Sequence, residues 1–445
     1  MTVPRVALVV VSSPFEAGGD RAPETLRQAI ARLEPSGVDL LVATDIVWDV
    51  ADASRVTRGW SERGVDLLVI VHCSWVEDSL QFQLQRAVGT PVFIWSRPEP
   101  ETYAFAAVKH FASVARRTGL AYRWDQGEVD TDRFVERVTA FAEAAAVARR
   151  YRDSRAGLFT PRTAWRIAGP MDMSLDEWDL GLELGVTVLH LEIDEVISEA
   201  KRESDRDALA EVERHAAGYT VQADPGRMLV SAKVYLAAKR LIERYDLDAM
   251  AVACYPTHFG LVNVATSWLG DEGFDLNPEG DVGSSILGNA MIALNGRPVV
   301  IGETVQILRD TDTLLIRHEG SGPASLAASP SEAFIVDLWE QKGTMIEYGM
   351  RQMDTVTGAS LTGGAGDYAI YAAKFRSRGL PLDEFNARGR GFLAHLEAEM
   401  GGEALLDVMF DSAMDHHLML QEGDGVPALR DLADAWGIGF VEVGA

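Results

Sequence analysis

Along the first 155 residues, apolar positions fall into short unbroken runs separated by longer stretches where they recur every three or four residues. The runs are 6–11, 40–43, 67–71 and 92–95; the periodic stretches are 24–33, 50–63 and 77–87. Unbroken apolar runs predict strands buried on both faces, and the longer period predicts helices packed over them. Their alternation is the pattern of a parallel sheet in a doubly wound α/β layer. An Ala-rich helix is predicted over 130–151, and Asp153-Ser154-Arg155 reads as a linker closing a first domain, 1–155.

A second α/β block, 156–297, opens with a strand at 166–168 and the turn Gly169-Pro170. A helix (176–184) and a strand (186–191) follow, then two long helices, the second over 227–245, and a buried strand at 250–254. From 298 the texture changes. Segments 299–301, 304–308 and 314–316 are β-rich, and 319–365 is loaded with Gly, Ser and Thr. These features predict a mainly antiparallel domain, 298–445, closed by helices and a strand at 440–443. The fold class is therefore α/β: two doubly wound parallel-sheet (Rossmann-like) domains followed by a β-rich C-terminal domain. No internal repeat is present.

Charge narrows the function classes. The 445 residues hold 41 Lys and Arg against 67 Asp and Glu, a net charge of −26 with no basic patch. Such a field repels nucleic acid and anionic membranes, so neither is expected as a partner. The apolar run 6–11 is too short to span a bilayer and no cleavage pattern follows it, which makes the cytoplasm the expected location. Cys73 and Cys254, the two cysteines, both sit in apolar runs and read as buried reduced thiols.

Cofactor motifs are missing: there is no G-x-G-x-x-G, no P-loop and no G-x-S-x-G elbow. Carboxylates and imidazoles stand out instead. In Asn277-Pro278-Glu279-Gly280-Asp281-Val282, Asp281 reads as the cap of a helix over 284–294, with Glu279 in the turn before it. Simple capping accounts for that motif equally well. Glu303 closes the apolar run Val299-Val300-Ile301-Gly302, where a desolvated carboxylate needs a cation or donors. Its alternative partners are Arg297 and Arg309. His318 ends a strand ahead of Glu319-Gly320-Ser321-Gly322-Pro323, a turn expected to expose its ring. His416-His417 precede Leu418-Met419-Leu420, so their rings are expected on opposite faces of a strand. Two glutamates with imidazoles suit Mn²⁺, and Mg²⁺, Co²⁺ or Zn²⁺ less specifically; the lack of cysteine ligands argues against a structural zinc site.

Two stretches carry a family resemblance. Glu279-Gly280-Asp281-Val282, Asn295-Gly296-Arg297-Pro298-Val299, Gly302-Glu303 and Leu314-Leu315-Ile316-Arg317-His318-Glu319-Gly320 form the first. Asp415-His416-His417, Gly423-Asp424, Leu429, Leu432-Ala433 and Gly437-Ile438 form the second. Together they resemble the core and the closing segment of the L-fucose/L-arabinose isomerase family. The three-part order of α/β, α/β and β-rich blocks extends the likeness over nearly the whole chain, although the specific motifs lie within 279–323 and 411–443.

The resemblance implies a metal-dependent aldose–ketose isomerase acting on a free pentose or (deoxy)hexose through an ene-diol. It implies Glu279 and Glu303 as metal ligands and the acid/base pair, with His417 and His318 as further ligands. Met171, Asp172, His258, Phe15 and His416 would contact the sugar. It also implies a homo-oligomer, trimer or hexamer, with the active site near a subunit interface, since the edge at Ser12-Ser13-Pro14-Phe15 serves a neighbouring subunit in that family. Glu303 and His318 are arabinose-like features, whereas Glu-Gly-Asp-Val and the His-Glu-Gly-Ser-Gly-Pro turn are closer to the fucose branch. Two other readings use the same residues: an epimerase or lyase on the same scaffold, and a non-catalytic sugar-binding protein, which would not need both glutamates.

Overall fold

The computed structural model describes residues 3–160, 171–173, 175, 177–255, 257–338, 343–364, 366–388, 390–412 and 414–444. The chain forms two compact units: Met1–Arg150 with Ala428–Ile438, and Tyr151–Pro427 with Gly439–Ala445.

The first unit is built on five parallel strands, β1 (Arg5–Val11), β2 (Asp39–Val42), β3 (Leu67–His72), β4 (Val92–Ser96) and β5 (Tyr122–Gln126), in the order β2-β1-β3-β4-β5. The apolar runs are buried as their lack of alternation predicts. Three details differ from expectation. The helix expected over 50–63 stops at Val56, and Gly59 nearby takes a left-handed φ of 77°. A helix, Ala104–Thr118, and β5 itself were not read from the pattern; β5 (Tyr-Arg-Trp-Asp-Gln) is largely polar because it lies at the sheet edge. The last helix, Val426–Trp436, returns to this unit, where Arg123 binds Asp431 at 2.8 Å and Asp434 at 2.7 Å.

Among its described residues the second unit contains two sheets. β6 (Arg155–Thr160), β7 (Thr187–Glu192), β9 (Ala249–Val252) and β10 (Leu276–Asn277) are parallel in the order β10-β9-β6-β7. β8 (Thr220–Val221) belongs to the other sheet. The expected strand at 166–168 lies outside the described residues. The first of the two expected long helices is split into Ile193–Ala200 and Asp205–His215, because Ser204 accepts the Asp207 amide (3.1 Å) and starts the second piece. The other, Pro225–Tyr245, is intact.

The larger sheet adds β11 (Val299–Leu308), β12 (Thr313–His318), β13 (Phe334–Asp337), β14 (Thr344–Gly349), β15 (Gln352–Thr362), β16 (Ala369–Arg378), β17 (Phe392–Ala398), β18 (His417–Glu422) and β19 (Gly439–Val443). Its strands run in the order β19-β16-β15-β18-β11-β12-β17-β14-β13-β8. β16 also pairs with β17, which closes β16-β15-β18-β11-β12-β17 into a six-stranded antiparallel ring. Val300, Ile316, Phe392, Ala394, Leu418 and Leu420 share one core cluster and line the inside of this ring. A Cβ on Gly302 would meet the Ile316 methyl at 2.4 Å, which confirms that this phase of β11 points inward. Ile301, Glu303, His417 and Met419 therefore face outward. Against that outer face lies the buried apolar helix Val282–Asn295. A Cβ on its Gly288 would meet the Met419 methyl at 2.8 Å.

Candidate metal centre

β11 and β18 pair antiparallel with Glu303 directly opposite His417. Cross-strand partners project from the same face, so this register alone brings a carboxylate beside an imidazole. Glu303 is not at the end of a strand as expected, because β11 continues to Leu308, with Val305 and Gln306 exposed. Neither arginine considered as its partner takes that part: Arg297 donates to the Glu422 carbonyl and Arg309 pairs with Glu403.

Glu279 reaches the same place from the turn between β10 and the helix Val282–Asn295. The Asn277 side-chain oxygen accepts the amides of Glu279 (2.9 Å) and Asp281 (3.0 Å) and so shapes the turn. Gly280 has φ 82°, and a Cβ there would meet the Ala253 Cβ at 2.9 Å. Asp281 caps the helix, accepting from the Ser284 amide at 2.9 Å. Its other oxygen takes the Nδ1 proton of His417 at 2.9 Å. That bond turns His417 Nε2 toward the glutamates, 3.5 Å from Glu279 Oε2 and 4.0 Å from Glu303 Oε1.

His318 completes the group from the end of β12, its Nε2 3.7 Å from Glu279 Oε1 and its Nδ1 3.2 Å from Ser321 Oγ. The ring is buried, not exposed as the turn suggested, and Ser321 of that turn bonds it. One ligand atom from each of Glu279, Glu303, His318 and His417 lies within 4.8 Å of the others, so the four can hold a metal ion. Donor chemistry fits as well. The Nε2 atoms of both histidines are buried and have no hydrogen-bond partner among the described residues, a costly arrangement that a cation would relieve.

The electrostatics point the same way. Burial works against a charge on His417, yet Asp281 and Glu279 outweigh it and push the imidazole up to about 10. A bound cation would take the place of that proton. Burial lowers His318 to about 4, keeping it neutral and ready to ligate. Burial raises Glu279, but His417 and His318 hold its carboxyl below the usual range.

No family model matches the sequence. The chain is similar to the sulfoquinovose isomerases of Priestia aryabhattai and Priestia megaterium, 20% identical to each over 306 residues, 64% of this chain. It spans about two thirds of their length, 66%.

The remaining residues singled out in the sequence are placed less uniformly. Asp172 and His416 meet: one Asp172 oxygen accepts both the His416 amide (3.0 Å) and its Nδ1 (2.6 Å). The His416 and His417 rings do not point to opposite faces but lie 4.1 Å apart at 34°. β18 begins at His417, so His416 precedes the strand and escapes its alternation. His258 lies in the turn after β9, its amide bound to the Cys254 carbonyl. The Met171 side chain lies outside the described residues. Phe15 belongs to the first unit and is almost fully exposed. Both cysteines are buried free thiols. No helix among the described residues is long and apolar enough to cross a membrane.

Two residues near the ligands escaped the sequence reading. Asp281 was read only as a cap, although it also orients His417. In the sequence Glu319 reads as part of a glycine-rich turn. Its carboxyl is driven well above the carboxylate range by burial and by the charges of Glu279 and Glu303. An acidic residue next to a histidine at the end of an apolar strand was the available signal for it.

Proposed function

We propose that this protein is a metal-dependent aldose–ketose isomerase acting on a free sugar, a pentose or (deoxy)hexose, through an ene-diol. The observation that carries this reading is the convergence of Glu279, Glu303, His318 and His417 within 4.8 Å, with neither imidazole Nε2 hydrogen-bonded among the described residues. The similarity to proteins named sulfoquinovose isomerase supports a sugar isomerase independently of the resemblance seen in the sequence.

Isomerisation moves a proton between C1 and C2 while the neighbouring oxygens exchange carbonyl and hydroxyl character. When bound, a divalent cation supplies polarisation of the carbonyl and stabilises negative charge on those oxygens. Glu279 and Glu303 flank the same small space, so one carboxylate takes the C2 proton of the aldose and a carboxyl returns a proton to C1. Positioned acid–base groups of this kind contribute roughly 10²–10⁴-fold. His318 and His417, with Glu279 and Glu303, would hold the cation, and Asp281 keeps His417 in the orientation that makes this possible. Asp172 and His416 contact the sugar beside them. The mixed oxygen and nitrogen set favours Mn²⁺, with Mg²⁺ or Co²⁺ as alternatives, in a homo-oligomer with the site near a subunit interface.

The test is turnover of a panel of aldopentoses, deoxyhexoses, tetroses and sulfoquinovose by EDTA-treated protein, with and without added Mn²⁺. Metal-restored ketose formation, lost in Glu279→Gln and Glu303→Gln, is the expected result. Tight metal binding without ketose from any sugar would overturn the isomerase reading in favour of an epimerase or lyase, and no metal binding would remove the centre itself.

A further inference from the structure

Glu319 has both carboxyl oxygens enclosed and without a hydrogen-bond partner among the described residues. Enclosed carboxyls in folded proteins almost always find donors, so an orphaned one calls for an explanation. Its backbone is pinned firmly. The Asn263 side chain donates to the Glu319 carbonyl at 3.0 Å, and the Ile346 amide donates to the Gly320 carbonyl at 2.9 Å. The side chain follows the ligand His318 directly, and the charges that act on it are those of Glu279, Glu303 and His417. Yet it is not one of the four residues whose ligand atoms gather within 4.8 Å. It belongs to the centre without belonging to the metal group.

A ligand whose groups both donate and accept would satisfy it, and sugar hydroxyls do both. Resting on the isomerase reading, we propose that Glu319 is a specificity-determining residue that exchanges hydrogen bonds with sugar hydroxyls beyond the two reacting carbons. A site built to bond a hydroxyl rejects the analogue that lacks it far more strongly than an apolar pocket rejects a missing methylene. It also stores instability in the free protein, since an apolar side chain of similar size would remove an unsatisfied group.

The experiment uses Mn²⁺-loaded protein and calorimetric binding of pentitols and hexitols, each beside its single-deoxy counterparts. Wild type should bind at least one alditol tenfold or more tightly than one of its deoxy counterparts. Glu319→Leu should keep its metal and melt at or above the wild-type temperature, while losing at least tenfold in alditol binding and losing that preference. Glu319→Gln should fall between the two.

Unchanged binding and preference in Glu319→Leu would overturn the role, as would loss of metal from a folded variant, which would make Glu319 a ligand. Should Glu319→Leu fail to fold, equal wild-type affinity for every deoxy counterpart would overturn it. Wild-type protein that turns over no sugar and binds no alditol overturns the isomerase reading and this role together; sugar turnover with indifference to Glu319 overturns the role alone.

Discussion

His417 Nδ1 and Asp281 Oδ2 stand 2.9 Å apart with both side chains buried, and Asp281 at the same time caps the helix that follows Glu279. One carboxylate thus orients a histidine on β18 and anchors the turn carrying a glutamate from another part of the chain. Asp281→Asn separates the two tasks. The amide oxygen still caps the helix, but the NH₂ group faces an N–H and no longer fixes the ring. The variant should melt close to wild type while its Mn²⁺ affinity falls by about 10–100-fold, measured by metal titration of the EDTA-treated protein.

The histidine doublet should divide cleanly. His417 is fully buried with its Nε2 in the metal group, whereas His416 is tied to Asp172 and partly exposed. His417→Ala should lose stoichiometric metal. His416→Ala should retain it and raise KM for the sugar with a smaller change in kcat, as expected of a residue that binds substrate. Metal content by elemental analysis beside steady-state kinetics distinguishes them; metal loss in His416→Ala would reverse the assignment.

Gly288 sits mid-helix, where alanine would ordinarily add about 1 kcal/mol of stability. Packing should win here. A Cβ would meet Asp275 Oδ2 at 2.6 Å and the Met419 methyl at 2.8 Å. Gly288→Ala should therefore destabilise the protein by about 1–3 kcal/mol, the usual cost of overpacking, in chemical denaturation. Because Met419 lies two residues from His417, metal affinity should fall with it.

His215 stacks on Trp268 with centroids 4.4 Å apart and planes at 8°. Burial, followed by the charge of Arg214, lowers its pKa from 6.5 to about 4. The folded state therefore resists protonation that the unfolded chain accepts. This part of the stability is complete above pH 6.5 and is lost as pH falls from 6.5 toward 4, to a total of about 3 kcal/mol. His215→Phe keeps an aromatic stack and cannot titrate. Its denaturation midpoint should fall less steeply than wild type between pH 7 and 4.5, and parallel curves would refute the assignment.

The parallel layers were legible because strands buried on both faces leave unbroken apolar runs, as in β1, β3 and β4. The polar edge strand β5 left no such trace. Asp281 was legible as a cap because capping is local, needing only an acceptor three residues before a free amide. Its bond to His417, 136 residues away, had no local signature. Glu319 was obscured for a similar reason: a carboxylate in a Gly/Ser turn ordinarily meets water, and only the folded chain encloses it.

The sequence by itself determined which chemistry was available: two glutamates at apolar junctions, histidines at strand ends, and no cofactor loop or basic face. Local periodicity and residue type carry that information, because they act over a few residues. Convergence was decided by tertiary structure. The β11–β18 register places Glu303 opposite His417, and a one-residue slip would turn one of them away from the other. The turn before the helix Val282–Asn295 brings Glu279 to that pair, and the end of β12 brings His318. Pairing between distant strands is set by the packing of a whole core, and no local stretch of residues encodes it.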